Sequence, residues 1–223
     1  MPIEHWWVTD AWEQGPIILL AHVFWVIFSI VLHELAHGWT AIRCGDRTPI
    51  ETGHITWNPL VHMGPTSLLL FAFVGIAWGS MPVDPSRFRG RLDNTKVALA
   101  GPTMNLVLFG VALAVCAGVK LAAHRIDETT GRNLLLFFVT GAYLNLALML
   151  FNLLPVPPLD GWRIASDVFP AYGALWRSDR SPAIGLILFF ALFWFGGPKI
   201  FDLSAVLTLK ALDAVIHALP AHI

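Results

Sequence analysis

Four long apolar stretches constrain this chain more than any other feature of its sequence. Residues 17–43, 97–123, 133–154 and 181–209 each reach the length of about 20 mostly apolar residues that an α-helix needs to cross a bilayer. Charged residues make up only 13% of the 223 residues, which is too few to cover a water-soluble globule of this size. We therefore predict an all-α polytopic membrane protein with about four transmembrane helices, folded as a single domain over residues 1–223.

A fifth apolar stretch, residues 66–79, is short for an ordinary crossing. The first 16 residues contain no Lys or Arg, which places the N-terminus outside the cell under the positive-inside rule. If residues 66–79 crossed the bilayer, the basic loop at Arg87–Arg91 would also lie outside, against that rule. We therefore predict a re-entrant or half-buried segment in a multi-pass protein of the plasma or inner membrane.

Residues Pro49–Trp57 alternate weakly between more and less apolar side chains. Alternation with a period of two is typical of a strand that buries one face. This pattern would fit a small β-hairpin in a cavity near the polar residues of the first span.

Three ionisable side chains lie inside the first span, where such groups are costly and mark function. They form His33-Glu34-Leu35-Ala36-His37, the pattern H-E-x-x-H. Residues four apart share a helix face, so both imidazoles can reach one zinc ion, and Glu34 can take a proton from a water there. The alternative is a polar patch buried between helices, which would need partners for all three groups.

Two histidines and a water leave zinc one protein ligand short. The remaining acidic and histidine residues that could reach a similar depth are Asp160, Asp167, Asp84, His54 and His62. Asp160 is favoured because it follows a run of prolines after the third span. Prolines interrupt a helix, and irregular backbone is tolerated at membrane depth where it lines a cavity. The competing interpretation of Asp160 is the N-cap of a following helix.

Three motifs together form a recognisable combination: His33–His37, Ala100-Gly101-Pro102-Thr103-Met104-Asn105, and Asn152-Leu153-Leu154-Pro155-Val156-Pro157-Pro158-Leu159-Asp160-Gly161. With them the chain resembles the site-2 protease family of intramembrane zinc metalloproteases, in its small bacterial branch without PDZ or nucleotide-binding modules. The resemblance implies one zinc ion bound by His33, His37 and Asp160, with Glu34 as the catalytic acid and base. It also implies that Asn152 contacts the substrate backbone.

Two further polar residues are candidates for the site. Asn105 lies in a span that also contains small residues, so it either takes part in the site or packs with a satisfied amide between close helices. His54 lies in a loop near the predicted cytosolic mouth, where it either contacts water or substrate, or is simply solvated.

These features predict a zinc-dependent intramembrane endopeptidase that hydrolyses peptide bonds in or next to transmembrane segments, as in regulated intramembrane proteolysis. Its partners would be the lipid bilayer and a membrane-embedded protein substrate, with the active site towards the cytosol. A net charge of −1 provides no electrostatic attraction for nucleic acid, so no nucleic-acid partner is expected. The sequence gives no indication of the oligomeric state. The alternatives are a membrane metal-ion transporter and an inactive protease-fold scaffold that binds transmembrane segments.

Overall fold

The computed structural model describes residues 6–176 and 181–218, and these residues are predominantly helical. The helices are α1 (Trp7–Gln14), α2 (Pro16–Cys44), α3 (Thr48–Glu51), α4 (Pro59–Val74), α5 (Asp93–Leu121), α6 (Glu128–Asn152), α7 (Asp160–Val168), α8 (Pro170–Leu175) and α9 (Ser181–His217). Four of them, α2, α5, α6 and α9, are long and apolar enough to cross a membrane. The prediction of an all-α, multi-pass membrane protein is confirmed.

Helices α2, α5 and α6 form the centre of the bundle, and α9 packs against α6. Helices α2 and α6 pack closely at Gly141. A Cβ at this position would lie 2.2 Å from the Trp25 ring, so only glycine leaves room for the ring. The Trp25 indole Nε1 also donates to the Phe137 carbonyl at 3.0 Å. A small residue opposite a large ring is a common way for helices to approach within a membrane. This contact fixes the faces that α2 and α6 turn towards each other.

Helix α4 is not one straight helix. Gly64 has a φ of 66° and is followed by Pro65, so the helix is broken at this point. The remaining part, residues 65–74, is about 15 Å long, roughly half of the hydrocarbon thickness of a bilayer. The chain then runs back along α4 over residues 75–80, and the Ser80 amide donates to the His62 carbonyl at 2.9 Å. This geometry fits the predicted re-entrant or half-buried segment.

The β-hairpin considered for Pro49–Trp57 is not formed. Thr48–Glu51 makes the single helical turn α3, and turns follow it. Pro49 suits the first turn of a helix, and the Asp46 carboxylate accepts hydrogen bonds from the Thr48 amide at 2.9 Å and from its hydroxyl at 2.5 Å. Although burial would raise the pKa of the Asp46 carboxyl, bonds from Thr48 and from the Asp84 amide hold this pKa below its usual value. A local turn closed by the Asp46 carboxylate thus takes the place of strand pairing.

Candidate active site

The structure brings together His33 and His37 of α2 and Asp160 at the start of α7. The Asp160 Oδ2 atom lies 3.0 Å from His33 Nε2 and 3.3 Å from His37 Nε2. The three potential ligand atoms all lie within 4.8 Å of one another. In a tetrahedral zinc site with bonds of about 2.1 Å, neighbouring ligand atoms are about 3.4 Å apart. The spacing of these three atoms therefore suits a single small cation.

Hydrogen bonds determine which nitrogen of each imidazole carries the proton. His33 Nδ1 lies 2.6 Å from the Asn105 Oδ1 atom, and His37 Nδ1 lies 2.6 Å from the Val97 carbonyl oxygen. Both oxygens are acceptors, so both Nδ1 atoms donate, and each neutral ring keeps a free lone pair on Nε2. Two lone pairs and a carboxylate facing one another repel unless a metal ion or a proton lies between them. The donor set is therefore one that fits zinc.

An irregular segment delivers Asp160 to this point. Helix α6 ends at Asn152, residues 153–159 form turns, and α7 begins at Asp160 itself. The turns are closed by short-range bonds, including one from the Leu159 amide to the Val156 carbonyl at 2.9 Å. The proline-rich segment thus starts a new helix with a carboxylate at its first position.

A second carboxylate holds α7 against the beginning of α5. The two Asp167 oxygens accept from the Asn94 side-chain amide at 3.0 Å and from the Thr95 hydroxyl at 2.8 Å. Asp167 is one of the residues that the sequence offered as a third ligand. In the structure it fixes the helix that carries Asp160.

We expect Asp167→Ala to weaken zinc binding by at most about tenfold, the low end of the effect of losing a direct partner of a ligand, because Asp167 acts on Asp160 only through the position of α7. The measurement is chelator competition on the purified, detergent-solubilised protein. Asp213→Ala is the matched control, since Asp213 lies on α9 with a side chain that is 73% exposed. Equal affinities of the two variants would mean that other contacts position α7.

One face of α5 lies against the ligand cluster. Val97, Gly101 and Asn105 follow one another at intervals of four residues and therefore share this face. A Cβ on Gly101 would lie 2.4 Å from His33 Nε2 and 2.5 Å from His37 Nε2. Glycine at position 101 leaves the space in which the two ligand nitrogens and an ion can meet. Sequence reasoning did not assign this role to Gly101, although its register with Asn105 is a signal for it.

Glu34 is buried, with 7% of its surface exposed, and lies against Gly79 of the returning segment. A Cβ on Gly79 would come within 2.6 Å of Glu34 Oε1, so this glycine lets the returning segment lie directly on the carboxylate. Glu34 precedes His37 by three residues and so projects from the same side of α2. The arrangement gives the site a buried carboxylate next to the ligand cluster.

Asn152 and His54 make other contacts in the described structure. The Asn152 side-chain amide donates to the Leu148 carbonyl of its own helix at 3.0 Å. His54 Nδ1 lies 2.9 Å from the Thr52 hydroxyl, within the loop that follows α3. Their contacts with a substrate stay predictions.

The two other candidates for the third ligand have structural partners. The Asp84 carboxylate accepts from the Ser86 amide at 3.0 Å and caps a single turn of 3-10 helix. His62 Nε2 donates to the Thr56 carbonyl at 2.7 Å, which ties α4 to the preceding loop. Among the described residues, only Asp160 joins the two motif histidines in a three-residue cluster.

Comparison with known proteins shows that the sequence of this chain is similar to metalloprotease sequences. The model of peptidase family M50 matches residues 117–196. YwhC of Bacillus subtilis (strain 168) is 35% identical over 187 residues, which cover 82% of this chain and 85% of YwhC. Rip2 of Mycobacterium tuberculosis (strain H37Rv) is 29% identical over 205 residues, covering 88% and 75% of the two chains, and MJ0611 of Methanocaldococcus jannaschii is 28% identical over 167 residues, covering 74% and 77%. All three are provisionally named as zinc metalloproteases. No solved structure matches the chain.

Proposed function

Because this chain belongs to peptidase family M50, the site-2 protease family, we propose that it is a zinc-dependent intramembrane endopeptidase. It hydrolyses peptide bonds in or next to transmembrane segments of other membrane proteins. The observation that carries the proposal is the convergence of two imidazole Nε2 lone pairs and the Asp160 carboxylate within a bundle of apolar helices. One zinc ion held by His33, His37 and Asp160 accounts for that convergence.

Glu34 is the acid and base of the proposed reaction. The chemistry that zinc supplies in such a site is polarisation of the scissile carbonyl and activation of a water molecule. The Glu34 carboxylate accepts the proton of the attacking water and delivers it to the leaving nitrogen. The cover formed by residues 75–80 limits bulk water at this carboxylate, which strengthens each electrostatic contact that it makes.

The proposed substrate is a membrane-embedded protein segment with apolar side chains. Beside α2, on the N-terminal side of Glu34, lies an apolar cavity of about 240 Å³, lined by Val23, Phe24, Ile27, Phe28, Val31, Trp57 and Pro59. A lining of this kind suits the apolar side chains of such a segment. The substrate has to unwind locally, because a helix satisfies its own backbone groups. Asn152 is the proposed partner of the freed backbone.

We place the active site towards the cytosol and the N-terminus outside. Arg43 lies in the last turn of α2, at the end that carries the ligand histidines, and Arg47 follows this helix. The basic loop at Arg87–Arg91 follows the returning segment. Basic residues accumulate in short cytosolic loops. This distribution supports the proposed orientation.

Metal removal tests the proposal directly. We expect the gently extracted protein to hold one zinc per chain and to cleave single-span reporter proteins in liposomes. Chelation should abolish cleavage, and added zinc should restore it. Asp160→Asn should leave zinc below stoichiometry, whereas Asp127→Asn, which changes the N-cap side chain of α6 that accepts from the Thr130 amide, should not.

The other outcomes contradict the proposal. Stoichiometric zinc without cleavage of any single-span reporter would favour a scaffold, and zinc flux across the liposome membrane would favour a transporter. If the gently extracted protein held no zinc, the proposed metal centre itself would be disproved.

A further inference from the structure

Two buried asparagines connect His33 to the backbone of α6. Asn105 and Asn145 each have 0% of their surface exposed. The Asn105 Nδ2 atom donates to Asn145 Oδ1 at 3.0 Å, and the Asn145 Nδ2 atom donates to the Gly141 carbonyl at 2.9 Å. Together with the 2.6 Å contact between Asn105 Oδ1 and His33 Nδ1, these bonds form a continuous chain from α6 through α5 to α2.

The Gly141 carbonyl sets the direction of every bond in this chain. A carbonyl oxygen only accepts, so Asn145 must turn its NH₂ group towards Gly141 and its oxygen towards Asn105. That oxygen also only accepts, so Asn105 must turn its NH₂ group towards Asn145 and its oxygen towards His33. The His33 Nδ1 atom must then donate, and in the neutral ring this leaves the lone pair on Nε2.

Burial makes this direction hard to reverse. A reversed amide would place two acceptors or two donors against each other, with no bulk water to compensate them. The Gly141 end is itself held in place, because the Trp25 ring packs against this glycine.

We propose that Asn145 and Asn105 form a relay of oriented amides that holds His33 in the Nδ1–H tautomer, with Nε2 free to bind zinc. Asn105 contacts the ligand ring, and Asn145 acts on that ring through Asn105. Asn145 is therefore a positioning residue of the metal centre. The role of the relay in metal binding rests on the proposed function, whereas the tautomer of His33 is a property of the zinc-free protein as well.

Asn145→Leu keeps the number of side-chain heavy atoms and removes the link between Asn105 and the Gly141 carbonyl. Asn105 is then free to reverse its amide and present NH₂ to His33, which favours the Nε2–H tautomer. We expect a 10- to 100-fold loss of zinc affinity, the usual effect of losing an outer partner of a metal ligand. The ¹⁵N shifts of the His33 imidazole in zinc-free protein should show a population of the Nε2–H form.

Thr208→Val is the control for loss of a buried polar group. Thr208 is 1% exposed and lies on α9, outside the relay. Its replacement should leave both the zinc affinity and the His33 tautomer unchanged. A purely structural role of Asn145 predicts lower stability with an unchanged tautomer.

A double-mutant cycle with Asn105→Asp isolates the orienting effect. A carboxylate has two equivalent acceptor oxygens, so it accepts from His33 Nδ1 without being oriented. Asn145 Oδ1 then faces a carboxylate oxygen, so in the Asn105→Asp background Asn145→Leu should not weaken zinc binding, against the 10- to 100-fold loss in the native background. Equal losses in the two backgrounds would overturn the relay.

The unmodified protein supplies a test that needs no variant to fold. In its zinc-free form His33 must carry a proton on Nδ1, and a neutral ring protonated on Nε2 alone would overturn the inference. Zinc affinity and tautomer are both measured without a substrate. A protein that keeps this tautomer but cleaves no reporter would therefore disprove the proposed endopeptidase and leave the relay standing.

Discussion

Glu34→Gln is expected to lower the rate of reporter cleavage by about 10²- to 10⁴-fold, the usual contribution of a general acid and base, while zinc binding stays stoichiometric. Glutamine has almost the size of glutamate but cannot accept the proton of the attacking water. Glu34 is not part of the ligand cluster, which consists of His33, His37 and Asp160. The variant therefore separates catalysis from metal binding.

Glu51→Gln is the matched control for this change. Glu51 forms an ion pair with Arg87 at 2.7 Å, and its side chain is 52% exposed, so its loss affects a solvated contact only. Its cleavage rate should stay within about twofold of the native rate, because exposed ion pairs contribute little. If Glu34→Gln cleaved as fast as this control, another residue would have to be the base. If it lost zinc, Glu34 would itself be a zinc ligand.

Gly101→Ala should prevent zinc binding, and with it all cleavage. The added methyl group would lie 2.4 Å from His33 Nε2 and 2.5 Å from His37 Nε2, where both ligand nitrogens meet the ion. Glycine to alanine in a helix normally stabilises by about 0.5–1 kcal/mol, so the expected loss runs against the general trend. Zinc content and affinity, measured beside thermal unfolding, check the prediction.

Gly110→Ala is the same chemical change in the same helix. A Cβ on Gly110 meets no atom within 4 Å, so zinc binding and cleavage should be native and stability equal or higher. If both alanine variants bound zinc alike, the close approach of α5 to the two histidines would be wrong.

The motif histidines could be predicted from the sequence because their positions depend on one helix alone. His33 and His37 share a face of α2 whatever else packs around it. The prediction of Asp160 as a ligand needed two further signals, the helix break caused by the prolines and the resemblance to a known motif. Each of these signals is local and can be read along the chain.

Gly101 and Asn145 could not be assigned in this way, because their roles depend on how α5 and α6 are rotated about their own axes. That rotation follows from contacts between distant residues, such as the Trp25 ring on Gly141. The error over Pro49–Trp57 has a similar cause. The amide of Asp84, which lies far along the chain, donates to the Asp46 carboxylate at 2.7 Å. This bond holds the carboxylate where it also accepts from the Thr48 amide.

Asp160 lies 127 residues after His33, yet both belong to the same centre. Inside a bilayer the surrounding lipid is as apolar as the helices, so burial alone gives little drive for helices to associate. A zinc ion bound by His33 and Asp160, as proposed above, would connect the first long helix to the short α7. Free zinc would then stabilise the assembled protein by mass action. Scarcity of the metal would accordingly weaken the attachment of α7 as well as stop the proposed cleavage.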